Sequence, residues 1–235
     1  MRRRLDQLLS CLGYCSRREA AAIIKSGRVS VDGVVAKRAD DKVDPTLVTL
    51  DGEPLEAPDG LRAVLHKPIG YACTHGEGEG QTIYELLPPR WLNRNPPVTS
   101  VGRLDKETSG LLLITDIGPL VHEHTSPKAA IEKVYEAGLE RAVDSSLVSI
   151  FASGQIMLRG EEKPCLPARL EITGARTARL TVTEGRYHQV RRMFASQGWH
   201  VEKLHRIRCG GHELGELEPG ELRMVPADWR ECTAL

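Results

Sequence analysis

The chain has 235 residues, of which 40% are hydrophobic, 27% charged and 4% aromatic, the composition of a soluble globular protein with a mainly aliphatic core. Basic and acidic side chains balance at 32 each, so the total charge says nothing about nucleic acid. Residues 1–38, however, carry nine basic side chains against three acids, a local charge of +6 that a solvated face or an anionic partner would accommodate.

The first expected element is a helix on which Leu5, Leu8, Leu9 and Leu12 recur at helical spacing before Gly13 stops it. Ser16 and Glu19 in "SRRE" form a capping box that opens a second helix, which runs through Ala20, Ile23 and Ile24 to Gly27. "RVSVDGVVA" alternates around Asp32-Gly33 and predicts a hairpin. Acids and prolines then dominate residues 39–62; Val48 to Leu50 fits a strand of this first unit, and residues 54–60 fit a linker.

Strands prevail beyond it: "RAVLHKP", "SGLLLITD", "KVYEAGL", "ARLEIT" and "ARLTVTEG". Helices are expected over residues 145–153 and 187–198, the second with Val190, Met193 and Phe194 on its apolar side. Strands and helices do not alternate regularly. The fold class is therefore α+β: a small helix-helix-hairpin domain over residues 1–57, then a larger, mostly antiparallel sheet with flanking helices over 62–235.

Six scattered cysteines without a Cys-x-x-Cys, and no signal peptide or long apolar span, point to reduced thiols in a cytoplasmic protein without a membrane partner. His122 and His124 share a strand or loop face, but no Cys or carboxylate joins them at ligand spacing, and no metal site is expected. No phosphate-binding Gly-rich loop or dinucleotide fingerprint is present. "GEGEGQT" is Gly-rich but acidic and reads as a mobile loop.

"GRLDKETSG" lies between two expected strands, a rigid mount for a polar group. Asp105 there is either an Asx-turn residue or the group that does chemistry. In "EGRYHQVRRM", His188, Arg191 and Arg192 share one side of a helix that starts just after Arg186. These cations repel one another unless a phosphate backbone or a carboxylate such as Asp105 faces them. Lys133 and Tyr135 share a strand face, where a Tyr is also simply a good strand former.

Taken in order, "HKPIGY", "GRLDKETSGLLLITD", "KVY" and "EGRYHQVRRMF" resemble the signatures of the RNA pseudouridine synthases. The basic N-terminal segment resembles an S4 RNA-binding domain, so the resemblance spans nearly the whole chain. "EGRYHQV" and "LHRIRCGGHEL" are most similar to the branch that acts on small-subunit rRNA. The chain departs from the family pattern at His66, where Asn is usual, and at Ile117, where Asp is usual.

The resemblance implies isomerisation of one uridine of 16S rRNA to pseudouridine, without cofactor, by a monomer whose partner is 16S rRNA or a small-subunit assembly intermediate. The same chemistry on 23S rRNA, or a non-catalytic S4-domain assembly factor, are the alternatives. Asp105 carries over as the catalytic carboxylate, acting as a nucleophile at C1′ or by an elimination route. Arg191 takes the family's position for the cation that keeps it ionised, with Arg192 as substitute. Tyr135 matches the active-site Tyr that stacks on the flipped base and moves a proton.

Arg103 is expected to fill the space the base vacates. Lys67, Lys133, Arg186, His188 and Arg192 are expected on the substrate, Lys67 and Lys133 as phosphate contacts or structural groups, and Leu204 and Ile207 in the apolar pocket wall. Arg4, Ser16, Arg17, Arg18, Lys25 and Arg28 match the S4-type RNA face, where they would position phosphates.

Overall fold

The structure is a computed structural model and describes residues 2–76, 78 and 80–226. The expected C-terminal limit at 235, the sixth cysteine Cys232 and part of the acidic "GEGEGQT" loop lie outside the described residues. Among the described residues no helix is long and apolar enough to cross a membrane.

The N-terminal unit follows its sequence pattern closely. Helix α1 (Leu5–Cys11) buries Leu5, Leu8 and Leu9, and α2 (Arg17–Lys25) buries Ala20 and Ile24. The capping box forms: Ser16 Oγ accepts from Glu19 N at 3.3 Å and Glu19 Oε2 accepts from Ser16 N at 2.8 Å. Strands β1 (Val29–Val31) and β2 (Val34–Val35) join through Asp32 and Gly33, both at positive φ, the hairpin turn that matches strand twist. Strand β3 (Val48–Leu50) pairs antiparallel with β1, and β4 (Glu53–Pro54) with β3.

Residues 54–60, expected as a linker, are pinned instead. Pro54 belongs to β4, and the following residues are held by the segment just after α3 (Pro89–Leu92). Arg94 donates to Glu56 O at 3.3 Å and Ala57 O at 2.9 Å, while its Nε meets Asp116 Oδ2 at 2.7 Å in a buried ion pair. Trp91 Nε1 donates to Glu56 Oε2 at 2.8 Å, and Arg90 pairs with the same carboxylate. The two units therefore meet through a polar seam rather than through a free tether.

The larger unit is one sheet of nine strands among the described residues. In chain order they are β5 (Arg62–Lys67), β6 (Thr99–Val101), β7 (Thr108–Thr115), β8 (Lys133–Leu139), β9 (Arg169–Gly174), β10 (Thr177–Val182), β11 (Val201–Cys209), β12 (His212–Glu213) and β13 (Leu222–Met224). Their spatial order is β9-β10-β8-β11-β7-β5-β13, with β6 beside β7 and β12 beside β11. Among the described residues every strand pairing in this sheet is antiparallel except that of β11 with β7.

The apolar run of β7 is continuous because both faces are covered. Leu111 and Leu113 pack with Val64 and Leu120 on one side, and Leu112 and Ile114 with Leu65 and Trp91 on the other. Helices α5 (Ser146–Ala152) and α6 (Gln189–Ser196) lay Phe151, Met193 and Phe194 on the far half of the sheet. His122 and His124 sit on a helix, α4 (Gly118–Thr125), not on a strand or loop: Pro119 at its start and Leu120 packing inward make this a helix.

Candidate active site

Three strands bring the site together. The parallel pairing sets Leu204 opposite Thr108 and Arg206 opposite Gly110, and the antiparallel pairing sets Tyr135 opposite Arg206. Asp105 lies three residues before Thr108, in the loop that carries the chain from β6 into β7. A loop fixed at both ends by the sheet thus delivers the carboxylate to the edge of a cavity of about 310 Å³.

Gly110 explains why the strands come so close. Its φ is +109°, and a Cβ there would lie 2.2 Å from Arg206 O, inside the van der Waals limit. No other residue type fits between β7 and β11 at this point.

The cavity is lined by Arg103, Asp105, Lys133 and Tyr135, together with Arg186, His188 and Leu204. Arg103 is exposed at the mouth, Asp105 and Tyr135 are partly buried, and Leu204 is a buried wall, whereas Ile207, also expected in that wall, does not line the cavity but lies with His205 and Arg208 at a separate hollow. His188 Nε2 lies 3.4 Å from Asp105 Oδ1. Burial pushes the Tyr135 phenol above its ordinary range, and the nearby Arg206 opposes that. Burial also pushes the Lys133 ammonium down, and its Nζ donates to Ile131 O at 3.0 Å.

Three more expected site residues lie elsewhere. Arg191 does not pair with Asp105: it donates to Val201 O at 2.7 Å and to Glu107 O at 2.9 Å, so it braces the Asp105 loop from behind. Arg192 does not replace it, because its guanidinium pairs with Glu161 at 3.0 Å and donates to Tyr187 O and Arg159 O. Lys67 is fully buried and donates to Pro68 O, Lys106 O and Thr108 O. It clamps the loop and makes no contact a phosphate could share.

Arg186 lines the cavity, but its guanidinium is committed to Glu184 at 3.1 Å and to Lys163 O and Pro164 O. The carboxylates that face these cations are therefore Asp105 for His188, Glu161 for Arg192 and Glu184 for Arg186, while Arg191 is met by the neutral backbone carbonyls of Val201 and Glu107. In the N-terminal unit, Arg17, Arg18 and Lys25 project into solvent from α2. Arg4 and Arg28 form exposed pairs with Asp6 and Asp51, and Ser16 caps α2.

Sequence reading passes over Arg206. This side chain is 2% exposed, lines the cavity, and has its Nη1 3.5 Å from Tyr135 Oη. The signal was available in "KLHRIR", where alternation puts Leu204 and Arg206 on one strand face. Thr108 Oγ1 and Arg206 Nη2, both buried at this cavity, have no hydrogen-bond partner among the described residues.

Comparison with known proteins agrees with this architecture. Residues 62–196 match the family model described as RNA pseudouridylate synthase, and residues 3–49 match the S4 domain. A ribosomal small subunit pseudouridine synthase A of Vibrio parahaemolyticus is 42% identical, with 94% of this chain and 95% of that protein covered. The protein of the same name from Escherichia coli is 40% identical over 94% and 95%. A crystal structure of a pseudouridylate synthase superposes with a TM-score of 0.69 at 34% identity, covering 100% of both chains. With the family model spanning residues 62–196, which include the Asp105 loop, Tyr135 and β7, and relatives 40% and 42% identical over 94% of its length, this chain belongs to the RNA pseudouridylate synthase family.

Proposed function

We propose that this protein converts one uridine of small-subunit rRNA to pseudouridine, with Asp105 as the catalytic carboxylate. The observation that carries the reading is that Asp105 and Tyr135 line one cavity together, with Arg103 exposed beside them. Its restriction to the small subunit rests on the names of relatives about 40% identical over nearly the whole chain.

The geometry suits the chemistry. A uridine must leave its stack to bring its sugar to Asp105. Arg103, exposed at the mouth, is placed to fill the gap in the RNA with its guanidinium plane. Asp105 acts at the sugar as the C1′–N1 bond breaks, by addition at C1′ or by elimination. The bond's electron pair leaves with the base, the base turns, and C5 bonds to C1′. Tyr135 stacks on the base and takes the C5 proton, N1 gains a proton from water, and no net redox change or cofactor is needed.

Residues 1–57 act as the RNA-holding unit and residues 62–235 as the catalytic unit. Arg4, Arg17, Arg18, Lys25 and Arg28 contribute phosphate contacts that set the salt dependence of binding. His188, Lys133 and Leu204 contact the bound nucleotide. The protein works as a monomer in the cytoplasm during ribosome biogenesis.

Tritium release from 5-³H-uridine-labelled rRNA tests this, with carbodiimide primer extension to locate the product. One new pseudouridine in small-subunit rRNA is the expected result. An inactive wild-type protein, or a product confined to large-subunit rRNA, would overturn it.

A further inference from the structure

Arg206 is a buried cation in an unusual setting. Its Nε donates to Leu111 O at 2.8 Å, its Nη1 stands 3.5 Å from Tyr135 Oη, and its Nη2 has no partner among the described residues. A guanidinium taken out of water without a carboxylate is costly, and apolar replacements of similar volume commonly stabilise a fold. Packing alone therefore does not account for an arginine here.

Three local devices aim it at one target. Gly110 lets the β11 backbone approach β7 at Arg206. The β8–β11 register slips between Val134, opposite Arg208, and Tyr135, opposite Arg206, leaving Ile207 as an extra residue. Such a bulge re-aims side chains and is frequent beside active sites. The direct pairing then sets the guanidinium carbon 5.9 Å from the centre of the Tyr135 ring.

We infer that Arg206 is a positioning residue for Tyr135: it fixes the phenol in the cavity and balances the negative charge on its oxygen when Tyr135 serves as the base. The inference rests on the proposed role of Tyr135 in taking the C5 proton. In that step the proton passes from C5 to a Tyr135 oxygen already deprotonated, and water later takes it while N1 is protonated.

The other groups facing Tyr135 do not supply this balance. Asp105 and the Cys209 thiol both work against a tyrosinate, and Leu180, its partner on β10, is apolar. Lys133 is held by Ile131 O, and Glu184 and His188 face the cavity from the approach to α6. Burial raises the phenol most, Cys209 and Asp105 add to that, and Arg206 is the group that lowers it.

The test compares wild type, Arg206→Met, Arg206→Lys and Tyr135→Phe. Tritium release measured from pH 6 to 10 should show kcat falling about 100-fold in Arg206→Met, with KM for rRNA within about threefold. The rising alkaline limb should move up by about one pH unit or more, and Arg206→Lys should move it back.

Independently of activity, the absorbance of wild type minus Tyr135→Phe at 295 nm reports the Tyr135 titration, which should move upward in Arg206→Met. If the methionine variant does not fold, Arg206→Gln carries the same measurement. An unchanged Tyr135 titration, or a loss of kcat with an unmoved pH profile, overturns the inference. An inactive wild type would sink the pseudouridylation reading and leave the absorbance result to decide on Arg206.

Discussion

His188 Nε2, not an arginine, stands beside Asp105 Oδ1, at 3.4 Å. His188 caps α6 with a left-handed backbone, φ 47° and ψ 35°, and its ring stacks on Tyr187 at 3.9 Å between centres. Asn tolerates that conformation and β-branched residues do not. His188→Asn should keep stability within about 0.5 kcal/mol of wild type, while His188→Val should lose about 1–2 kcal/mol in urea unfolding. Equal stabilities for the two variants would show that the backbone at 188 is not the constraint.

Lys67 donates to two carbonyls just after Asp105, Lys106 O and Thr108 O, and to Pro68 O beside it in the chain. Lys67→Met should leave those acceptors unsatisfied and lower stability by about 2–4 kcal/mol. The salt dependence of rRNA binding should stay as in wild type, because no phosphate contact is lost. A flattened salt slope with normal stability would return Lys67 to the substrate side.

Much of this was legible in the sequence. Period-two and helical patterns placed β7, β8, α2 and α6, because each has one or two apolar faces and the helices have a clear stop, Gly27 and Gly198. Strand β11 was not legible as a central strand: "VEKLHRIRC" is half charged, and its burial comes from neighbours far away in the chain. The site showed the same split. Asp105 and Tyr135 stood out by their motifs, and both line the cavity. The destinations of Lys67, Arg191 and Arg192 were hidden, since their acceptors are mainly backbone carbonyls, which no sequence pattern marks.

Gly13 seats the N-terminal unit. Its φ is +78°, and a Cβ would lie 2.3 Å from Arg90 O. Arg90 also lies over the Tyr14 ring at 4.4 Å, and Asn95 N donates to Cys11 O at 2.9 Å. Gly13→Ala should break this seam, at a cost of about 1–3 kcal/mol from the strained backbone and the clash. Small-angle scattering should then show a larger radius of gyration; an unchanged profile would mean that the seam does not hold the units together.

Burial pushes His124, His205 and His212 below the ordinary histidine range. As pH falls below about 6.5 the unfolded chain binds protons that the folded chain does not, so stability should fall with acidification. Each unmatched proton contributes at most about 1.4 kcal/mol per pH unit. Urea unfolding between pH 7 and 5.5 should show this slope, and His205→Asn should reduce it. Stability that rises on acidification would contradict the burial argument.

The most direct measurement compares wild type with Asp105→Asn, following tritium release from 5-³H-uridine-labelled rRNA and filter binding to the same RNA. Loss of the carboxylate should reduce turnover by at least about 1,000-fold while rRNA affinity stays within about threefold. Turnover that survives the substitution, or binding that is lost along with it, would contradict the role of Asp105 as the catalytic group.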